Sequence, residues 1–422
     1  MQATEIRTSK LDVFRSQLKP TTLPFLVGQR TVAEEVLLSN DFPTTRVEAW
    51  KYTRLTRIAA LLPTNKYWSA EIKPTSDFGD VPTYTFVNGC YVPQLSTPIS
   101  DTTVAIKSLS ACTNAEFSTI GKNITLENEV FHSLNTLYAS DGIFIDVPAK
   151  TKLDCIRIHH ITTGEQQASH IRNVIHLGKS SNTEFIFHFS SLDSTQAMVN
   201  VITEIALDEN ASCQVYKIQN ETEEVFHVST EQVHQSANSS FSIHTHTLNG
   251  LFVRNNLNIA VAGENCTTIL NGTYVLKDQQ YVDNHTRVEH LAPNCYSSEL
   301  YKGVLSDKST AVFNGKVLVA EGAQKINAFQ SNGNVLLSDD ATIYSKPELE
   351  IYADDVKCSH GSTTGQLDDE AVFYLKARGI SEEAAKGLLV SAFVNEVLES
   401  ISNGTVSDFA KKTLQTRFGI DF

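Results

Sequence analysis

Basic residues are in short supply. Lys and Arg number 34 against 48 Asp and Glu, a net charge of −14 over 422 residues. That balance argues against a dedicated nucleic-acid binder, which needs a basic footprint to neutralise phosphates, and against adhesion to an anionic membrane surface. No run approaches the roughly 20 apolar residues that span a bilayer. The opening MQATEIRTSK has neither the apolar segment nor the small-residue cleavage site of a secretory signal, so a cytoplasmic location is expected. The seven cysteines, at 90, 112, 155, 213, 266, 295 and 358, stand singly with no C-x-x-C, which excludes a disulfide framework and a structural zinc site. G-x-x-x-x-G-K-[ST], G-x-G-x-x-G, G-x-S-x-G and H-E-x-x-H are all missing. The chain therefore carries no standard phosphate loop, nucleophile elbow or zinc-protease helix.

What is present falls into three parts. Residues 1–79 read as helical segments and a linker: Val32, Val36 and Leu37 follow helical spacing, and RVEAWKYTRLTRIAALL runs up to Pro63. Residues 80–362 read as β. Runs such as LDCIRIHHI, TEFIFHF, VNVITEIAL, SSFSIHTHTL and AVFNGKVLVA are rich in Val, Ile, Thr and Phe and recur at short intervals, with almost no helical window between them. Asn-Gly pairs at 249–250, 271–272, 314–315 and 332–333 favour hairpins of a sandwich or barrel. A solenoid with left-handed Asn or Gly at its corners leaves the same marks, so pattern alone keeps sandwich, barrel and β-helix open. Residues 363–422 return to helix. Asp368 or Asp369 caps DEAVFYLKA, Gly379 suits the left-handed position after it, and Ser381 caps a helix to about Ser400. On that helix Ala385, Leu388, Leu389, Ala392, Phe393 and Val397 fall at i, i+3, i+4, i+7 spacing. The stripe serves either internal packing or helix-in-groove docking of another protein.

The segment IYADDVKCSHGSTTGQLDDE holds the most chemistry. In an extended chain Cys358 and His360 point to one side. A thiolate and an imidazole two residues apart suit a soft or borderline metal. They equally suit a nucleophile–base pair, or a thiol packed at a polar strand end. One Cys and one His cannot fill a tetrahedral site, so metal chemistry here requires a second chain. His244 and His246 alternate along a strand and read as a solvated strand face. A standalone β-helix enzyme acting on polysaccharide needs stacked carboxylates, and Asp339–Asp340 and Asp354–Asp355 are the only adjacent Asp pairs in the β region.

Residues 346–398, KPELEIYADDVKCSHGSTTGQLDDEAVFYLKARGISEEAAKGLLVSAFVNEVL, together with YVDNHTRVEHLAPNCYSSELYKGVLSDKSTAVFNGKVLVAEGAQKINAFQSNGNVLLS upstream and RVEAWKYT near the N-terminus, resemble the SufB/SufD family, on its SufD side. CSHGST stands where the SufB side has E-H-E-A-T, and QSNGN where it has a cysteine. The resemblance implies a mainly β protein with helical ends, a right-handed parallel β-helix between N- and C-terminal helical domains. It implies a non-catalytic scaffold subunit of the SufBCD complex for iron–sulfur cluster assembly, with ATP hydrolysis left to the partner SufC. Pairing with SufB would form a heterodimer, with a homodimer as the alternative state of the isolated chain. Cys358 and His360 would be metal ligands at the SufB interface, sharing a transient cluster or iron with SufB and holding no permanent cofactor. Leu388, Leu389, Phe393 and Val397 would face SufC. ATP-driven closure of two SufC copies would then shift SufB against this subunit and expose the ligands. The rival reading is a purely structural brace for SufB, with no metal or sulfur ligand of its own.

Overall fold

The structure is a computed structural model of the chain. It describes residues 9–419 apart from 22, 24–25, 65–71, 73–76, 101–102, 114–115, 117–123 and 127–128. The linker expected between Thr64 and Pro82 lies mostly outside the described residues.

The β region is a parallel solenoid of about eight turns. Alternate strands join alternate sheets. The first sheet stacks Ile156–Glu165, Asn182–Thr195, Ser212–Asn220, Ser240–Asn249, Thr267–Leu276, Tyr296–Leu305, Ile326–Leu336 and Val356–Gly365. The second stacks Ala168–Leu177, Ala197–Leu207, Val225–Gln235, Phe252–Val261, Tyr281–His290, Thr310–Val319 and Thr342–Ile351. Each coil of about 30 residues lays one strand on each sheet. Side chains alternate inward and outward. The inward rows build one continuous core from residues such as Phe185, Val215, Ile243, Leu270 and Phe313. Each such burial removes apolar surface from water, worth roughly 1.5–3 kcal/mol per large side chain.

The corners set the coil. Seven residues at the turn from the second sheet to the first have positive φ: Lys150, Ser180, Asn210, Asn238, Asn265, Asn294 and Lys325. Each sits one coil above the last, and each donates its backbone N–H across to the next coil, as Asn210 does to Ala237 O at 3.0 Å and Asn238 to Glu264 O at 2.8 Å. Asparagine tolerates this left-handed geometry better than most side chains, which explains the Asn at four of the seven places.

The Asn-Gly pairs play another part. Of those four pairs Asn249–Gly250 alone makes a turn, with Gly250 at φ 133°; a fifth, Asn88–Gly89, closes the antiparallel hairpin of Thr83–Val87 with Cys90–Tyr91, both residues at positive φ. The other three of the four lie inside strands. Gly272 and Gly315 face inward, where a Cβ would overlap the Tyr301 ring and the Gln330 amide. The glycines there make room for large inward side chains from the next strand.

Helices cover the two outer faces. Val130–Tyr138 packs on the second sheet, Val27–Ser39 packs on that helix, and Lys10–Ser16 joins the same apolar cluster, which includes Met198, Ile202, Phe226 and Phe252. Sequence pattern placed Val130–Tyr138 inside the β region. Eight of its nine residues are buried, and Val130, Phe131, Leu134, Leu137 and Tyr138 do fall at helical spacing, a stripe too short to stand out among the strand runs around it. Asp369–Ala377, Glu382–Leu398 and Gly404–Phe418 form the C-terminal part, and the last two pack on the first sheet against Tyr216, Ile218, Leu248 and Val275. Asp368 and Ser381 cap the first two helices as expected, and Gly379 takes φ 89°.

Candidate functional site

The solenoid ends uncovered. Thr342–Ile351 and Val356–Gly365 are the outermost strands of their sheets, each bonded on one side only. An outermost strand keeps a row of N–H and C=O groups open to another chain. The two edges differ. Thr342–Ile351 carries Lys346, Pro347, Glu348 and Glu350, with Lys346 bonded to Glu48 and Glu348 and Lys316 to Glu350. Proline and charge of this kind discourage strand addition. Val356–Gly365 has one charged residue, Lys357, and is exposed along most of its length.

Cys358 and His360 lie on this strand with the spacing that puts both side chains on one face. Cys358 is in register over the inward Ala328 and packs half-buried against the solenoid core. Burial pushes its thiol up, partly offset by a backbone hydrogen bond at Ala328. His360 is exposed, in register over Gln330. Below it runs a buried polar column. Gln330 Nε2 donates to Glu299 Oε2 at 2.7 Å, and Thr286 Oγ1 to Glu299 Oε1 at 2.6 Å. Gln330 Oε1 has no partner among the described residues. Burial raises the Glu299 carboxyl to about 7, against the pull of those two donors. A parallel line descends from Ser362: it donates to Ser345 Oγ at 2.7 Å, Ser345 to Asn332 Oδ1 at 2.8 Å, and Asn332 Nδ2 to Tyr274 OH at 3.2 Å.

No group of three or more His, Cys, Asp or Glu side chains gathers at metal-binding distance among the described residues. Cys358 and His360 therefore offer at most two donors, a soft sulfur and a borderline nitrogen. That is the chemistry of iron–sulfur or zinc ligation, but half the count.

The C-terminal stripe divides. Val397 is fully buried in this chain's own core. Phe393 is half-buried, with Lys302 Nζ 4.5 Å from its ring centre and Gly333 beneath it. Leu389 is half-buried and Leu388 is 42 % exposed. The buried face of the helix is Ala385, Val390, Val394, Val397 and Leu398, rotated from the i, i+3, i+4 reading. Phe373 and Tyr374 on the neighbouring helix are 73 % and 57 % exposed. Sequence reading passed them over, although an adjacent aromatic pair cannot both face the core of a short helix.

The N-terminal RVEAWKYT motif has a structural explanation that sequence did not supply. Trp50 stacks on Phe131 at 5.4 Å and on the Arg254 guanidinium at 3.8 Å. Arg254 pairs with the buried Asp283, and Thr53 also donates to that carboxylate. Burial disfavours charge on Asp283, yet Arg254 and His285 hold it down to about 2. Tyr52 stacks on Tyr344 at 4.5 Å and Glu48 reaches Lys346. The motif thus clamps the N-terminal segment to the last coils, next to the open end. His244 and His246 are not on a solvated face: both are buried, and His244 Nδ1 lies 3.4 Å from Ser400 Oγ.

Among the described residues no helix is long and apolar enough to cross a membrane. A model of the SUF system FeS cluster assembly SufBD core domain matches residues 160–393, and a model of the SufBD protein N-terminal region matches residues 10–158. The chain is 32 % identical to the iron–sulfur cluster assembly protein SufD of Escherichia coli, over 86 % of both chains. It is 30 % identical to an iron–sulfur cluster assembly SufBD family protein of Synechocystis, over 89 % of this chain and 87 % of that one. A chloroplastic protein of Arabidopsis thaliana is 29 % identical over 67 % of this chain and 62 % of its own length.

Proposed function

This chain belongs to the SufBD family of iron–sulfur cluster assembly proteins, and from that premise we propose that it is a non-catalytic scaffold subunit that pairs with SufB through its open last coil. The observation that carries the reading is the uncapped strand Val356–Gly365, which presents Cys358 and His360 on a nearly uncharged edge. Strand addition by a partner would satisfy the free backbone row. It would also bring the further donors that a nascent cluster needs. The cluster or iron is cargo, held as Cys358 thiolate and neutral His360 with ligands from SufB. In the absence of SufB the same edge would pair with a second copy.

The C-terminal helices are the proposed dock for the ATPase SufC. Leu388 is the exposed member of the sequence stripe, and Phe373 and Tyr374 extend the apolar surface. Closure of two SufC copies on ATP would pull on these helices and move the paired last coils. The cytoplasm is the proposed location, in keeping with a chain whose work is on other soluble subunits.

One observation favours the rival reading of a brace. Cys358 packs against the core and its thiol is pushed up by burial, as an inert cysteine's would be. The experiment is co-expression with SufB and SufC of the same organism, native mass spectrometry, and cluster reconstitution. Scaffold function gives one copy each of this chain and SufB with two of SufC. Cys358→Ala and His360→Ala complexes would then assemble normally and hold little cluster. Normal cluster yield from both variants would leave the brace standing.

A further inference from the structure

A cavity of about 360 Å³ lies between the helix Gly404–Phe418 and the outer face of the first sheet, far in sequence from Cys358. Its lining includes His159, His188, Ser190, Asn220, Lys412 and Arg417. Its chemistry is set by Arg157. The Arg157 Nη2 lies 3.1 Å from His159 Nδ1 and 2.7 Å from His188 Nδ1, and the two imidazoles stack at 4.5 Å. A guanidinium has only donors. Both Nδ1 atoms must therefore accept, and both rings carry their proton on Nε2. His159 Nε2–H donates to Ser190 Oγ at 2.8 Å, which leaves the Ser190 hydroxyl hydrogen to point elsewhere.

His188 Nε2–H has no acceptor among the described residues, although the residue is only 2 % exposed. A buried donor left without an acceptor is costly, and a ligand oxygen that satisfies it recovers that cost. Burial, then the Arg157 charge, keeps this ring neutral, so the Nε2 position stays a donor and does not become half of an ion pair. Arg417 is occupied, with Glu223 at 3.0 Å and the Leu248 carbonyl. Asp77, the one carboxylate in the lining, acts on Arg157. Lys412 has no ion pair and the Asn220 amide no hydrogen bond among the described residues. Four donors thus line one cavity, the buried His188 Nε2–H, the half-buried Ser190 and Asn220, and the exposed Lys412 ammonium at its rim, with Asp77 the single carboxylate among the described lining residues. Leu192 and Phe409 supply apolar wall.

We propose that this cavity binds a small phosphate-bearing molecule, through His188 Nε2–H, the Ser190 hydroxyl, the Asn220 amide and the Lys412 ammonium. A phosphate monoester brings three strong acceptor oxygens and close to two negative charges at pH 7, which matches the donor count. The volume is at the low end of clefts that hold organic ligands, so a bare ion would leave part of the apolar wall unused.

The test is isothermal titration calorimetry of the full chain in phosphate-free buffer, with inorganic phosphate in one arm and glycerol 3-phosphate in the other. Binding is expected in the millimolar range or tighter, weakened at least tenfold by Lys412→Glu and by His188→Phe, which keeps the ring stack. Ser190→Ala, a small change, is expected to weaken binding severalfold. Circular dichroism and the thermal midpoint verify that each variant is folded. A tighter ester assigns the site to an organic phosphate; equal affinity assigns it to the free ion. No heat from either probe up to about 10 mM, where a millimolar site would be filled, overturns the proposal. So does wild-type affinity in folded Lys412→Glu and Ser190→Ala.

Discussion

Arg254 holds its guanidinium carbon 3.8 Å from the centre of the Trp50 ring, and this contact fastens the N-terminal segment to the solenoid. The same Arg254 is the charge partner of Asp283, which is fully buried. Arg254→Ala removes the cation from both. It is expected to cost about 3–5 kcal/mol in urea unfolding, because Asp283 is left as an uncompensated buried charge. Trp50→Ala loses packing alone and is expected to cost about 3 kcal/mol. The sign of the pH effect follows from Asp283. Its folded value, about 2, is below the ordinary 3.8, so its contribution is present above 3.8 and lost as pH falls toward 2. Arg254→Ala should flatten that acid limb.

Glu299 predicts the opposite slope. Burial raises its carboxyl from 4.5 to about 7. The folded state therefore favours the protonated acid, and stability is lost as pH rises from 4.5 through 7. Glu299→Gln keeps an acceptor and a donor without the charge. Denaturant midpoints between pH 5 and 8 should vary less in this variant than in the wild type, and the variant should be the more stable at pH 8. Equal slopes would show that Glu299 titrates normally.

Leu388→Asp and Phe373→Asp place a charge on exposed apolar surface of the C-terminal helices. Both are expected to fold with a thermal midpoint within a few degrees of wild type, since neither side chain is buried. If these helices dock SufC, pull-down of SufC should fall at least tenfold. Val397→Asp, in the core, should instead fail to fold.

Asn238 tests the corner column. With φ 57°, Asn238→Gly should be neutral or slightly stabilising. Asn238→Val should cost about 1–2 kcal/mol, the penalty for a side chain in left-handed backbone. A midpoint unchanged in Asn238→Val would show that the corner relaxes.

The helical ends and the β core were legible because caps and strand periodicity are local signals. Asp368, Gly379 and Ser381 mark helix boundaries through single hydrogen bonds and backbone angles. The sheet type was not legible from the Asn-Gly pairs. Gly272 and Gly315 are small because of Tyr301 and Gln330, side chains about one coil or half a coil away, and no local rule carries that information. The true mark of the solenoid was the spacing of Asn210, Asn238, Asn265 and Asn294, diluted by Ser180 and Lys325 in the same column. At the candidate site, the alternation of Cys358 and His360 was readable. The Gln330–Glu299 column beneath His360 was not, because register between coils brings them together. The face of Glu382–Leu398 that packs inside the chain lies about one residue out of phase with the apolar spacing. Leu389 and Phe393 flank the buried face, and Lys302 lies over the Phe393 ring.

The corner column also constrains how such a chain can change length over generations. One extra residue within a strand would reverse the facing of every side chain up to the next corner, exposing Leu270 or Phe313 and burying charge in its place. Loss or gain of one complete coil keeps every corner and every facing. Insertions and deletions among homologues are therefore expected in steps of about 30 residues or confined to the looser turns on the opposite side, and the terminal coil bearing Cys358 would keep its geometry whatever the coil number.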